Sequence, residues 1–293
     1  MSFRITPLTD PETTSSARRL AWLAAAADGT PVGSAFLRLF TRPGQDHLAE
    51  LDLQVHPAER RSGAGSRLLV AAVAAARADG RRSIVTQAPA GSPGAAFLSA
   101  RGFRTVLTFT YTRLDLAGTD PDGLTALVDE PHPGYRLAAW DGMVPDEFAA
   151  SYVASRRAMD DMPMGATDFG TVVWDLDRIR SAVAAVESRG DLLHTVVAVD
   201  ASDGTVTGFT ELVVPGDGKG DGLHYGTAVL PEHRGHALAR WMKAASIRHA
   251  RERHPELGGL LTDTADINPY MSRINEALGY EPTHQAYEFQ LDL

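Results

Sequence analysis

With 293 residues the chain has room for two domains of ordinary size, and its 44% hydrophobic and 22% charged content fits a globular protein with a real core. It contains no cysteine, which excludes a disulfide framework, a thiol nucleophile and a Cys-based zinc site, and it contains no apolar run of membrane-spanning length. The balance of 28 basic against 37 acidic residues, a net charge of −9, argues against a nucleic-acid partner and is compatible with a cationic small-molecule acceptor or with a solvated acidic surface. The opening residues MSFRITPLTD lack the apolar stretch of a signal peptide, so a cytoplasmic protein is expected, monomeric or homodimeric and without a metal.

In chain order, Phe3–Leu8 reads as a first strand, followed by the polar run Thr13-Thr14-Ser15-Ser16. Arg18–Ala27 and Val32–Phe40 read as a hairpin about Asp28-Gly29, and His47–Val55 as a further strand. Apolar residues at Leu68, Leu69, Ala72, Val73 and Ala76 have helical spacing over Gly65–Ala78. Ser83–Gln87 is a short buried-type strand, Ala95–Ala100 a helix remnant and Thr105–Leu116 a closing strand. Turn residues concentrate in 118–133, which reads as a linker between domains 1–117 and 134–293. The second half repeats the order: strand Tyr135–Trp140, helix Pro145–Met159, loop Asp160–Thr171, helix Leu176–Ser188, strands Leu192–Val199, Val206–Val214 and Leu223–Val229, helix His236–Arg253, strand Gly259–Thr262, helix Pro269–Leu278 and strand Ala286–Leu293.

Two stretches carry the chemistry. V-x-P-x-x-R occurs at Val55–Arg60 and again at Val229–Arg234, an offset of 174 (234 minus 60), each followed by a helix, a strand and a Gly-aromatic pair, Gly102-Phe103 and Gly279-Tyr280. A strand that empties through a turn into a helix aims the helix's free N–H groups at whatever lies beyond, a geometry suited to a pyrophosphate. The contacts would come from Val55, Arg60, Arg61, Ser62, Gly63, Ala64 and Gly65 in the first corner, and from Val229, Arg234, Gly235, His236, Ala237, Leu238 and Ala239 in the second. Ala237 and Ala239 replace the two glycines, so a looser or shifted phosphate is expected there. The loop lacks the Lys-Ser/Thr of a P-loop and the G-x-G-x-x-G spacing of a dinucleotide fold.

The pattern V-x-P-x-x-R-x-x-G-x-G, complete in the first half and partial in the second, resembles the GNAT superfamily of acyl-CoA-dependent N-acetyltransferases in a tandem arrangement. The resemblance implies an α/β fold of two GNAT-like domains, each a mixed, mostly antiparallel sheet flanked by helices, with acetyl-CoA (coenzyme A) as co-substrate and a small amine as acceptor. It also implies an Asn at the start of the last helix and a Tyr seven residues later that protonates the thiolate. Those positions hold Gly91 and Leu98 in the first half and Asn268 and Asn275 in the second. An amide donates a hydrogen bond but gives up no proton near neutral pH. Glu211 and His224 are the candidate bases that free the amine of its proton, and Asp160, Asp161 and Asp168 would wall an acceptor site for a cationic amine. Only the second half has helices between its first two strands, so chemistry is expected there, with the first half structural or binding coenzyme A without turnover. Catalysis in the first half and a non-catalytic acyl-CoA sensor are the rival readings.

Overall fold

The structure, a computed structural model, describes residues 3–9 and 17–293; the Thr13–Ser16 run lies outside them. Two compact units form. Unit 1 comprises Met1–Thr108, Met164–Val173 and Gln285–Leu293; unit 2 comprises Phe109–Pro163 and Trp174–His284.

Unit 1 contains β1 (Arg4–Leu8), β2 (Ala17–Ala25), β3 (Pro31–Phe40), β4 (Leu48–Val55), α1 (Ala64–Ala78), β5 (Ser83–Pro89), α2 (Pro93–Ser99) and most of β12 (Glu281–Asp292). Its strands run antiparallel from β1 to β4, β4 pairs parallel with β5, and β12 pairs antiparallel with β5, Ala286 opposite Pro89 and Asp292 opposite Ser83. The helical spacing expected over 65–78 is realised: Leu68, Leu69, Ala72 and Ala76 are buried against Leu37, Leu39, Leu51 and Ile84 in one core.

Unit 2 contains the larger part of β6 (Arg104–Asp115), then α3 (Pro121–Asp129), β7 (Tyr135–Asp141), α4 (Asp146–Ser155), α5 (Leu176–Glu187), β8 (Leu192–Asp200), β9 (Val206–Val214), β10 (Gly220–Val229), α6 (Leu238–Arg253), β11 (Leu257–Ala265) and α7 (Pro269–Ala277). Strands β7 to β10 are antiparallel neighbours, β10 pairs parallel with β11, and β11 pairs antiparallel with β6, Gly259 opposite Asp115 and Ala265 opposite Phe109. Both faces of this sheet are covered. Along β8, Val197 and Val199 pack with Phe148 of α4 and Val183 of α5, while Val196 and Ala198 pack with Leu238 and Met242 of α6. This is the period-two alternation of a strand buried on both sides.

The units therefore exchange their closing strands relative to chain order. β12, the last strand of the chain, completes unit 1, and β6, read from the sequence as closing the first half, joins unit 2 from Phe109 onward. A strand's apolar pattern specifies that it pairs, while two similar modules offer it similar edges, so the partner is not in the pattern. Residues 118–133, expected as a linker, hold α3. The turn signals there are helix-start signals: Asp120 caps the helix by accepting from the Asp122 N–H at 3.1 Å, and Pro121 occupies its first turn. Leu124 and Val128, one turn apart, are buried with Ala244 and Ile247 of α6. Leu124→Ala should lower the unfolding free energy by roughly 2–4 kcal/mol in denaturant titration, as for a core leucine; a linker residue would change it by less than about 0.5 kcal/mol.

Candidate active site

Both V-x-P-x-x-R copies build the same corner. Arg60 Nε donates to the Val55 carbonyl at 3.3 Å, and Arg234 Nε to the Val229 carbonyl at 3.0 Å, so the arginine at the end of each motif clips the turn back onto its strand. Alternate residues then adopt left-handed backbone: Arg61 (φ 66°) and Gly63 (φ 99°) in unit 1, Gly235 (φ 86°) and Ala237 (φ 57°) in unit 2. Alternation of this kind turns successive N–H groups to one side as an anion nest. Gly63 and Ala237 stand at the N-caps of α1 and α6 without a side-chain cap bond, which leaves the first-turn N–H groups for another acceptor. A Cβ at Gly63 would meet nothing within 4 Å, so the mouth of that corner is open space.

The two alanines of the second corner do not redirect it. Ala237 takes the left-handed conformation that Gly63 takes, and at Gly65, which matches Ala239, a Cβ would meet only ordinary contacts with Val55 and Phe97 at 3.4 to 3.7 Å. The flanking residues are placed for support. Ser62 hydroxyl donates to the Glu59 carbonyl, and Ala64 and Leu238 are buried as the first residues of their helices. Around the second corner, His132 Nδ1 donates to the His236 carbonyl at 3.1 Å and stacks on Trp241 at 4.0 Å, while His233 shares a 3.0 Å hydrogen bond with the Tyr135 hydroxyl. Arg234 is held by Asp161 through two bonds of 2.6 and 2.8 Å, and the guanidinium holds that carboxyl below its ordinary range. Asp161, expected at the acceptor, thus belongs to the corner. Asp160 is exposed at the end of a short helical turn after α4, and Asp168 sits in unit 1, accepting from the Ser83 hydroxyl at 2.8 Å.

Beside each corner the parallel strand pair opens. β4 and β5 are paired from Leu48–Ser83 to Glu50–Val85, and β10 and β11 from Gly220–Leu257 to Leu223–Leu261. All four strands continue past those points unpaired to each other among the described residues, and β10 is bulged at Tyr225 on its other edge. The floors of the two openings differ in kind. Taking residues at matching places in the two repeats, unit 1 has Leu69, Leu98 and Phe103, all in its apolar core. Unit 2 has Lys243, Asn275 and Tyr280, which are 1%, 2% and 4% exposed, with His224 at 3% where unit 1 has Glu50. Asn275 Nδ2 donates to Thr264 Oγ1 at 3.0 Å, but its Oδ1, the Tyr280 hydroxyl and both ring nitrogens of His224 have no partner among the described residues. Burial, with repulsion from Lys243, pushes the His224 imidazole well below its ordinary range, so it is neutral.

Two candidate residues have other duties. Glu211 is not a free carboxylate base. It accepts from the Tyr152 hydroxyl at 2.7 Å and from both terminal nitrogens of Arg156, whose guanidinium lies over the rings of Tyr152, Trp174 and Phe209 at 4.7, 4.5 and 4.2 Å. Asn268 accepts from the Met271 N–H at 3.2 Å and is the N-cap of α7, so its side chain is committed to the helix. Glu211 and His224 also lie on opposite faces of the sheet. Glu211 reaches Tyr152 on α4, whereas His224 lies opposite Leu212, which packs with α6.

Sequence reading missed Lys243 and Glu288, and had Tyr280 only as the aromatic of the Gly-aromatic pair. A position-by-position comparison of the two repeats exposes the first, because a lysine replaces a core leucine. Glu288, on the strand that closes unit 1, lies opposite Gln87, and burial with Glu50 nearby pushes its carboxyl up to about 7. Elsewhere in unit 2, His194 and His249 stack at 3.5 Å with planes 2° apart, and His194 Nδ1 contacts Asp141 at 2.7 Å. Parallel rings at that spacing cannot both aim a lone pair at one ion.

Residues 3–103 match the family model described as the acetyltransferase (GNAT) family. Over 245 residues the chain is 29% identical to a mycothiol acetyltransferase of Stackebrandtia nassauensis, covering 82% of this chain and 73% of that one. A tandem GNAT protein from the clavulanic acid biosynthesis pathway superposes with a TM-score of 0.76 at 26% identity, over 96% of this chain and 84% of that one. A GCN5-related N-acetyltransferase from Sphaerobacter thermophilus shares the fold, with a TM-score of 0.61 at 16% identity over 93% and 80% of the two chains.

Two outcomes follow from the geometry. Glu211→Gln removes one partner of a buried ion pair and should cost about 3–5 kcal/mol of stability; a free base would lose rate and leave the denaturation midpoint in place. His249, pushed down to about 4 by burial and by His194, is neutral in the fold, whereas the unfolded chain takes up its proton near 6.5. Its contribution is thus present above pH 6.5 and is lost as pH falls toward 4. Thermal melts across that window should decline more steeply for the native protein than for His249→Asn.

Proposed function

We propose that this chain, which belongs to the GNAT acetyltransferase family as a tandem of two such modules, transfers an acetyl group from acetyl-CoA to a small amine in unit 2. The observation that carries the reading is the polar floor beneath the opening between β10 and β11, set against the apolar floor of unit 1. The likeness to a mycothiol acetyltransferase supports a small-molecule acceptor. The net charge of −9 is compatible with a cationic one.

The second corner fits a diphosphate through its uncapped α6 N-terminus and its left-handed Gly235 and Ala237. Arg234 adds charge once it exchanges Asp161 for a phosphate oxygen, since a guanidinium binds either bidentately. Acetyl-CoA supplies a thioester whose carbonyl carbon the amine attacks and whose thiolate departs. Backbone N–H groups of β10, freed where β11 leaves it, are placed to hold the carbonyl oxygen. Asn275 offers an amide at the thiol end, and His224, neutral by burial, remains the candidate proton acceptor now that Glu211 is bound to Arg156. Unit 1 would hold coenzyme A without turnover.

A second reading, catalysis in unit 1, is favoured by Glu288, a carboxyl near 7 in the unit with glycines at both corner positions. Single variants separate the two. With acetyl-CoA and a panel of primary amines, Asn275→Ala should lower turnover about tenfold, the value of one hydrogen bond that strengthens in the transition state. Glu288→Gln should leave it within about twofold, whereas a general base in unit 1 would lose about 100-fold or more. Saturable acetyl-CoA binding without thioester consumption against the whole panel would make the protein an acyl-CoA sensor instead.

A further inference from the structure

We propose that Lys243 is the acid of unit 2: its ammonium, on α6 under the opening between β10 and β11, hands a proton to the departing thiolate. The inference rests on the reading that unit 2 performs the transfer.

The fold does not ask for this lysine. Its counterpart at the same place in unit 1 is Leu69, 6% exposed within the core. Lys243 is buried to 1% exposure with no hydrogen bond or salt bridge among the described residues, and its Nζ lies 4.9 Å from the ring of Tyr280. The titratable groups that face it are His224 of β10 and Tyr280 after α7, while Asp263 of β11, on the other side of its strand, acts on it only through its charge. His224 is the first residue of β10 beyond the last pair with β11, so the lysine sits where the strands part. Asn275, at the place where the family pattern has its acid, cannot give up a proton.

The proton balance closes. The amine's lone pair forms the C–N bond, the C–S bond breaks with its electron pair going to sulfur, and that pair takes the proton of the Lys243 ammonium. The new amide loses its extra proton to solvent by way of the neutral His224, and the neutral lysine regains one from solvent. Burial pushes Lys243 down to about 7, below a thiol at roughly 8.5, so the transfer runs downhill and reprotonation at neutral pH is ready.

The test uses the full chain, acetyl-CoA and either an amine from a panel (an aminosugar, a polyamine, an amino-acid amide) or water as acceptor. Lys243→Met should lower kcat by about 100-fold with KM for acetyl-CoA unchanged. The native fall of kcat as pH rises past about 7 should disappear in the variant. Its melting temperature should rise, because a buried cation is replaced by an apolar chain of similar length. A variant that keeps kcat within about twofold and keeps the falling limb overturns the assignment. So does one that loses kcat, acetyl-CoA affinity and melting temperature together, the mark of a packing role. If the native chain consumes no thioester with any acceptor while acetyl-CoA binding saturates, transfer in unit 2 falls first and Lys243 with it.

Discussion

The constraint on which the site depends is that a parallel strand pair must be joined by a crossover helix, and that the pair parts before the crossover begins. In unit 2 the last β10–β11 pair is Leu223–Leu261, yet β10 continues to Val229 before the chain turns into α6. The interval leaves strand backbone unpaired on one side and ends in an uncapped helix N-terminus, so uncommitted hydrogen-bond donors of strand and helix lie on one continuous path. The corner itself is set by closure more than by glycine. Arg60 and Arg234 make the same bond to the same strand carbonyl, and Ala237 accepts left-handed backbone at a cost of roughly 1–2 kcal/mol.

What differs between the units is what lies under that path. A floor of Leu69, Leu98 and Phe103 stabilises unit 1 by plain burial. In unit 2 the corresponding floor holds Lys243, Asn275 and Tyr280, and each buried polar atom without a partner costs on the order of 1–3 kcal/mol. Several such groups, contributed by α6, α7 and β10 and gathered at one opening, work against the stability of their own domain. Groups of this kind cluster where charge must be handled during a reaction, because the same low dielectric that makes them costly favours their uncharged forms, bringing Lys243 down to about 7 while holding His224 neutral.

Much of this was legible in the residues. The period-3.6 spacing of Leu68, Leu69, Ala72 and Ala76 defines α1, and the repeated V-x-P-x-x-R defines both corners, because local chemistry fixes a strand end and a helix start. Non-local facts were not. Nothing in the alternation of 286–293 says which sheet the strand joins, and nothing in 160–173 says that Asp161 meets Arg234 while Asp168 meets Ser83. The turn-rich stretch 118–133 shows a different failure, since Asp-Pro serves a helix cap and a loop equally well until the buried Leu124 and Val128 are counted.

The reassignment of Glu211 follows from counting of the same kind. On β9, Phe209 and Val213 pack toward α4 and α5 while Leu212 packs toward α6, so a residue at 211 must face α4. There it meets a guanidinium buried among three aromatic rings and supplies the carboxylate that neutralises it. His224, opposite Leu212 in the register, must face α6, Lys243 and Tyr280. One sheet thus separates a rigid ion pair that braces β9 from the unpartnered groups beside β10. The second face is where the unpartnered groups include a neutral imidazole, an amide oxygen and a phenol beside a buried lysine.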